Sequence, residues 1–383
     1  MSDMSAESQN LKIAFVFDGE YGVPNGAPNY ITTLGDYLIE EGQETSYFVG
    51  HSVIESPRIH SIGRIATVRS NGNRVSFVLP TKKQTVYEVL EEVDPDVLHI
   101  LMPYSPFMGA KFIEAADSET AVVGTFLTLP NSRLIEVGTH ILGSLLKSTR
   151  KRFNQVISVS EPASNFAKES FGVDSDVLPC PVDLERFQKG HRLPEYDDGK
   201  INILFMGRLE ERKGCQHLVS ALAQLDPATL DKVRVLVAGS GGLSHKLQEQ
   251  VRREGLQNTV EFLGYIQEAF KPDLLASADI ATFPATGGES FGIVLIEAMA
   301  ARAGVVVGGN NAGYTSVLKQ VPEVLVNARS TSDFASLLNT LIKSTTLREE
   351  LHAKQQQLVE QYDVSTVGGA VLDIYTSVLE RIR

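Results

Sequence analysis

Short apolar runs separated by longer amphipathic stretches recur along this chain of 383 residues, and the alternation breaks once and then restarts. The first set of runs is Leu11 to Phe17, Val97 to Leu101, Ala121 to Phe126 and Gln155 to Val159, with a helical pattern over Tyr30 to Glu41. After Phe187 the chain turns polar from Gln188 to Lys200, with Gly190, Pro194 and Gly199. The second set follows: strands at Ile201 to Met206, Val233 to Ala238, Val260 to Leu263, Ile280 to Phe283 and Val305 to Val307, and helices at Cys215 to Leu225 and Leu243 to Glu254. A short continuous apolar run suits a strand buried on both faces, and the amphipathic stretch after it suits the crossover helix. The pattern predicts an α/β chain of two doubly wound, Rossmann-like domains, with ligands at the carboxyl ends of the strands and a cleft between the domains. The expected division is a first domain over 1–187, a linker over 188–200 and a second domain over 201–361. A last helix over 362–383, opened by Ser365 with Val367, Ala370, Val371, Ile374 and Val378 on one face, should pack back toward the first domain.

Bulk charge narrows the partners. Lys and Arg number 35 against 47 Asp and Glu, a net charge of -12, which argues against nucleic-acid binding by general electrostatics. An anionic ligand needs a local cationic pocket instead. Cys180 and Cys215 form no metal-type cluster and point to a reducing, cytoplasmic setting. The polar start from Met1 to Asn10 does not read as a signal peptide, and no apolar run approaches the roughly 18 residues of a membrane span. Peripheral contact at the inner face of the membrane stays open through 131–153. There Leu134, Gly138, Ile141 and Leu145 share a face and Lys147, Arg150, Lys151 and Arg152 follow. Such a segment can lie on anionic lipid, or be a packing helix whose basic last turn complements its dipole.

Chemistry concentrates in two loops. In Gly287-Gly288-Glu289-Ser290-Phe291-Gly292-Ile293-Val294-Leu295-Ile296-Glu297, two carboxylates stand eight residues apart around a helix start. A glycine turn and a helix N-terminus offer backbone N–H groups to a diphosphate, and the glutamates offer acceptors to hydroxyl groups. The spacing suits two grips on one long ligand better than an acid/base pair. Glu289 could instead cap the helix. Glu297, amid Leu295, Ile296, Ala298 and Met299, needs a partner if it is buried. The second loop is Gly207-Arg208-Leu209-Glu210-Glu211-Arg212-Lys213-Gly214, where Arg208 and Lys213 can clamp a diphosphate. The bland alternative makes Arg212 and Lys213 solvated partners of Glu210 and Glu211. Ala238-Gly239-Ser240-Gly241-Gly242 suggests a dinucleotide fingerprint, but the third glycine position holds Ser244. Hydride transfer is therefore disfavoured, and no P-loop or zinc-protease signature occurs.

Gly288 to Ala300 resembles the E-x7-E signature of retaining GT-B glycosyltransferases, in wording most similar to the phosphatidylinositol mannosyltransferase branch. Further matches fall in the family's order: the Gly26 loop, Asp96-Val97-Leu98-His99-Ile100, Val177-Leu178-Pro179, Gly207-Arg208 with Lys213-Gly214, and Val260 to Gly264. The resemblance implies a hexosyltransferase that uses a nucleotide sugar, GDP-mannose, with no metal or other cofactor, and a lipid or glycan acceptor. It implies catalytic roles for Arg208, Lys213 and Glu289, with both cations on the diphosphate. It also implies donor contacts from Gly26, Phe291, Gly292 and Ile293, and ribose binding by Glu297.

The acceptor half departs from the family's pattern. Leu127 stands where a histidine commonly follows Thr-Phe, Leu101 replaces a second histidine after His99, and the usual glycine pair reads Asn25-Gly26. Leu127 cannot donate a proton. His99 could compensate, although a lone strand histidine is more often a satisfied core residue, and Asn25 can still adopt a left-handed conformation. Two alternatives follow: the same fold with a UDP-sugar such as UDP-glucose, or a non-catalytic nucleotide-sugar-binding module with a degenerate acceptor site.

Overall fold

The computed structural model describes residues 10–23, 26–63, 65–70, 73–78, 81–103, 105, 108–129 and 147–383. The first sheet contains β1 (Lys12–Tyr21), β2 (Glu44–Ser52), β3 (Ile59–Ser61), β6 (Val97–Leu101), β7 (Ala121–Phe126), β8 (Gln155–Ser158) and β9 (Asp176–Val177). Between β3 and β6 lies a separate antiparallel hairpin of β4 (Ile65–Ser70) and β5 (Asn73–Val78). The seven strands are ordered β3-β2-β1-β6-β7-β8-β9 and every pairing is parallel. The second sheet contains β10 (Ile201–Met206), β11 (Val233–Ala238), β12 (Val260–Gly264), β13 (Ile280–Phe283), β14 (Val305–Gly309) and β15 (Leu325–Val326). Its order is β12-β11-β10-β13-β14-β15, also parallel throughout.

Strand order reverses beside β1 in the first sheet and beside β10 in the second. In a doubly wound sheet such a reversal opens a crevice beyond the carboxyl ends of the strands. Gly26 follows β1, Arg208 and Lys213 follow β10, and Glu289 follows β13, so topology places all four at these crevices. Burial explains why the central strands read so plainly: every residue of β6, β7, β13 and β14 is buried.

Gly239, in the glycine run after β11, has a structural reason unrelated to dinucleotide binding. A Cβ there would lie 1.9 Å from the Gly207 carbonyl oxygen. Only glycine lets these two strand ends approach so closely.

The last helix, Val364–Ile382, is capped by Asp363 rather than opened by Ser365, and the Asp363 carboxylate accepts from the Ser365 amide at 2.9 Å. It packs against the first domain: Gly368 lies against the Tyr37 ring, Tyr375 reaches His99, and Arg383 meets Asp96 at 2.5 Å. Val182 and Asp363 form a parallel bridge between the chain leaving the first domain and the chain returning to it. Among the described residues no helix is long and apolar enough to cross a membrane.

Candidate active site

The loop after β10 is pinned by Gly214. It adopts a left-handed φ of 80°, and a Cβ there would lie 2.0 Å from the Pro284 carbonyl oxygen at the end of β13. The Thr286 amide donates to the Arg212 carbonyl at 2.8 Å, which ties the two loops together. This backbone contact carries Arg212 and Lys213 to Glu289. Lys213 Nζ lies 2.8 Å and Arg212 Nη1 2.5 Å from the same oxygen, Glu289 Oε1. Glu289 is therefore an ion-pair partner of two cations and not a helix cap; the N-cap position of the helix Ile293–Ala300 is Gly292.

A second link extends the cluster outward. Arg212 Nε is 3.4 Å from Glu210 Oε2, and Arg208 Nη1 is 2.8 Å from Glu210 Oε1. The Arg208 side chain is 61% exposed, whereas that of Lys213 is 19% exposed. Burial pulls the Lys213 ammonium below its ordinary pKa, and Glu289 opposes that pull. The sequence pattern offered Arg212 as a surface partner of Glu210 and Glu211. Its bond to Glu289 spans 77 positions and had no local signal.

Glu297 is buried, and its Oε2 is 2.7 Å from Lys271 Nζ. Lys271 begins the helix Lys271–Ala276 after β12, and nothing in the sequence marked it. The first amides of the helix Ile293–Ala300 lack the regular i−4 acceptor, as at every helix start, and in sequence they stand between the two carboxylates. Phe291 is buried with its ring edge-on to Tyr362, and a Cβ on Gly292 would lie 2.7 Å from the end of the Leu295 side chain.

On the first domain, Gly26 begins the helix Gly26–Glu40, and a Cβ there would meet nothing within 4 Å. Asn25 lies outside the described residues, as does most of 131–153. Of that segment's basic end, Arg152 donates to the Ala116 carbonyl at 2.5 Å. Leu127 packs its side chain into the core. Its carbonyl accepts the Ser290 hydroxyl at 2.5 Å, while the Ser160 hydroxyl donates to the Ser290 carbonyl at 2.6 Å. Ser290 thus joins the glutamate loop to two strand ends of the first domain, another contact with no sequence signal.

His99 stands apart from these groups. It is wholly buried, with Nδ1 at 2.5 Å from the Tyr375 hydroxyl and Nε2 at 2.6 Å from Thr125 Oγ1. Burial pushes its pKa down to about 3, so the ring is neutral and both nitrogens are engaged. Among the described residues no cluster of His, Cys, Asp and Glu is arranged to hold a metal ion.

Two facing Rossmann-like domains, with cations and carboxylates gathered at the strand ends of the second, define a GT-B architecture. The family described as "Glycosyl transferases group 1" matches residues 188–358, and "Glycosyltransferase Family 4" matches residues 24–186. The chain belongs to the group 1/family 4 glycosyltransferases of GT-B fold. It is 30% identical over 373 residues to the phosphatidyl-myo-inositol mannosyltransferase of Mycolicibacterium smegmatis, covering 96% of this chain and 94% of that one. Its identity to the enzyme of the same name from Propionibacterium freudenreichii is 28% over 382 residues, covering 96% and 95%. Among solved structures, the sucrose-phosphate synthase of Thermosynechococcus elongatus superposes with a TM-score of 0.73 at 17% identity, covering 97% of this chain and 100% of that chain. Anabaena Alr3699/HepE in complex with UDP superposes with a TM-score of 0.71 at 18% identity, covering 96% and 100%.

Proposed function

We propose that this glycosyltransferase moves a mannosyl group from GDP-mannose to a lipid or glycan acceptor at the cytoplasmic face of the membrane, with retention of anomeric configuration and without a metal ion. The observation that carries this reading is the gathering of Lys213 and Arg212 on Glu289 beside a helix N-terminus. The choice of mannose and guanine draws its support from the phosphatidyl-myo-inositol mannosyltransferases, which match nearly end to end.

In this reading the donor diphosphate lies against Lys213, Arg208 and the first amides of the helix Ile293–Ala300, with Gly26 closing from the opposite domain. Glu289 holds its two cations in place before the donor arrives and faces the sugar hydroxyls once the phosphate takes over that pairing. Glu297, held in place by its ion pair with Lys271, accepts from the ribose. The bond from the anomeric carbon to the phosphate oxygen breaks with its electron pair leaving on the diphosphate. The acceptor oxygen bonds to the same face of that carbon, and its proton passes to the departing phosphate oxygen. Preorganised cations around a developing diphosphate supply the main stabilisation. No protein base is required, so Leu127 is compatible with transfer and bears on acceptor choice instead. The buried, doubly bonded His99 takes no part.

The test is incubation with GDP-mannose and phosphatidylinositol vesicles, with the product analysed by NMR. An α-mannoside supports the reading. A β-linked product would overturn retention, and neither transfer nor donor hydrolysis with any nucleotide sugar would overturn enzymatic activity.

A further inference from the structure

A second concave site lies on the C-terminal domain, between the helices Cys215–Leu222 and Ser244–Arg253, with a cavity volume of about 680 Å³. That is the size of a small-molecule pocket. Four cationic side chains line it, Arg212, Lys246, Arg253 and Arg329, against the carboxylates Glu211 and Glu249. Of the cations, Arg212 is paired with Glu289 and Arg253 lies 3.5 Å from Glu254. No carboxylate among the described residues pairs with Lys246 or Arg329. Arg208, Lys213, Glu289 and Glu297 do not line this cavity, so it is separate from the donor clamp and shares only Arg212 with its ion-pair cluster.

Local excess positive charge in a chain of net charge -12 runs against the overall balance. Unpaired like charges around one concavity repel each other unless an anion neutralises them. Arginine forks and a lysine suit the several acceptor oxygens and double charge of phosphate better than a single carboxylate. His217 also lines the cavity, and burial together with Arg329 holds its imidazole below the ordinary pKa, in keeping with a positive local field.

We infer that this cleft is a second anion site, which binds the phosphate of a small phosphorylated molecule other than the sugar donor. Arg212 links the two sites: an anion that draws its guanidinium toward the cleft weakens its hold on Glu289. Occupancy therefore alters donor affinity without any contact with the donor.

The test is calorimetric titration of the full chain with inorganic pyrophosphate. Three proteins are compared: the parent, the double variant Lys246→Ala/Arg329→Ala, and Arg208→Ala. The double variant changes two exposed side chains outside the donor clamp, and an unchanged melting temperature verifies its fold. We expect pyrophosphate binding weakened roughly tenfold in the double variant, the sum of two modest charge contributions. The corresponding binding should persist in Arg208→Ala. Loss in Arg208→Ala with no change in the double variant would place the anion in the donor clamp and overturn the inference. Co-sedimentation with phosphatidic-acid vesicles separates a lipid headgroup from a soluble source. If the parent binds vesicles but not pyrophosphate, and the double variant binds neither, the phosphate is a lipid's. If the parent binds neither, or the double variant matches it in both, no such site exists.

Discussion

Replacing Lys271 with methionine removes the only cation paired with Glu297 among the described residues while keeping most of the side-chain volume. Glu297 is 5% exposed and its Oε2 sits 2.7 Å from Lys271 Nζ. At that separation and an effective dielectric of about 20, the direct attraction is about 6 kcal/mol. Desolvation of the two ions cancels much of it. Removing one partner of such a pair nevertheless costs about 3–5 kcal/mol, because the other charge is left buried and uncompensated. At about 2–4 °C per kcal/mol for a domain of this size, the apparent melting temperature should fall by roughly 6–20 °C. The double variant Lys271→Met/Glu297→Met should recover most of the loss, since an apolar pair of similar volume leaves no stranded charge. Thermal denaturation by circular dichroism at pH 7 measures this. A single variant within ~2 °C of the parent, or a double variant no better than the single, would refute the claim that this pair is a buried unit.

His99 makes stability pH-dependent with a definite sign. Its folded pKa is about 3 against an ordinary 6.5, so between those values the unfolded chain binds the extra proton and stability falls as pH falls. The slope from this one group is about 1.4 kcal/mol per pH unit, and His99→Gln should flatten the acid limb of a denaturation series relative to the parent. Gly214→Ala places a Cβ 2.0 Å from the Pro284 carbonyl oxygen and demands a left-handed alanine. The backbone strain alone is about 1–3 kcal/mol, and nucleotide binding measured by calorimetry should be lost with the displaced loop. Lys213→Ala should lower the transfer rate by roughly 10²–10³-fold, as removal of a preorganised charge-stabilising group does, and an unchanged turnover number would exclude Lys213 from leaving-group stabilisation.

The parts of this fold that were legible in the sequence are those governed by local pattern. Nine apolar runs match strands because central parallel strands are buried on both faces and leave no room for polar residues. β2 escaped because Thr45, Ser46 and His51 interrupt its apolar run, although Tyr47, Phe48 and Val49 are buried within it. β9 and β15 are two residues each, too short to show any period. Glu289 and Glu297 stood out in the sequence as two carboxylates set around a helix start, and each is an ion-pair partner in the structure. Their cationic partners did not stand out: Arg212 sits inside a surface-like charge run and Lys271 in an unremarkable polar stretch, and only the folding of three loops onto one crevice brings them together. His99 shows the same limit from the opposite side. A strand histidine could face either a ligand or the core, and the answer came from Tyr375, 276 positions away.

The donor clamp itself is tested most directly by a thermal-shift series with GDP, GDP-mannose, UDP and UDP-glucose on the parent chain and on Lys213→Ala. GDP-mannose should stabilise the parent by about 2.7 kcal/mol at a hundredfold excess over its dissociation constant, and stabilise Lys213→Ala far less at the same concentration. Stabilisation by UDP-glucose alone would contradict the mannose assignment. Equal stabilisation of parent and variant by GDP-mannose would contradict the clamp.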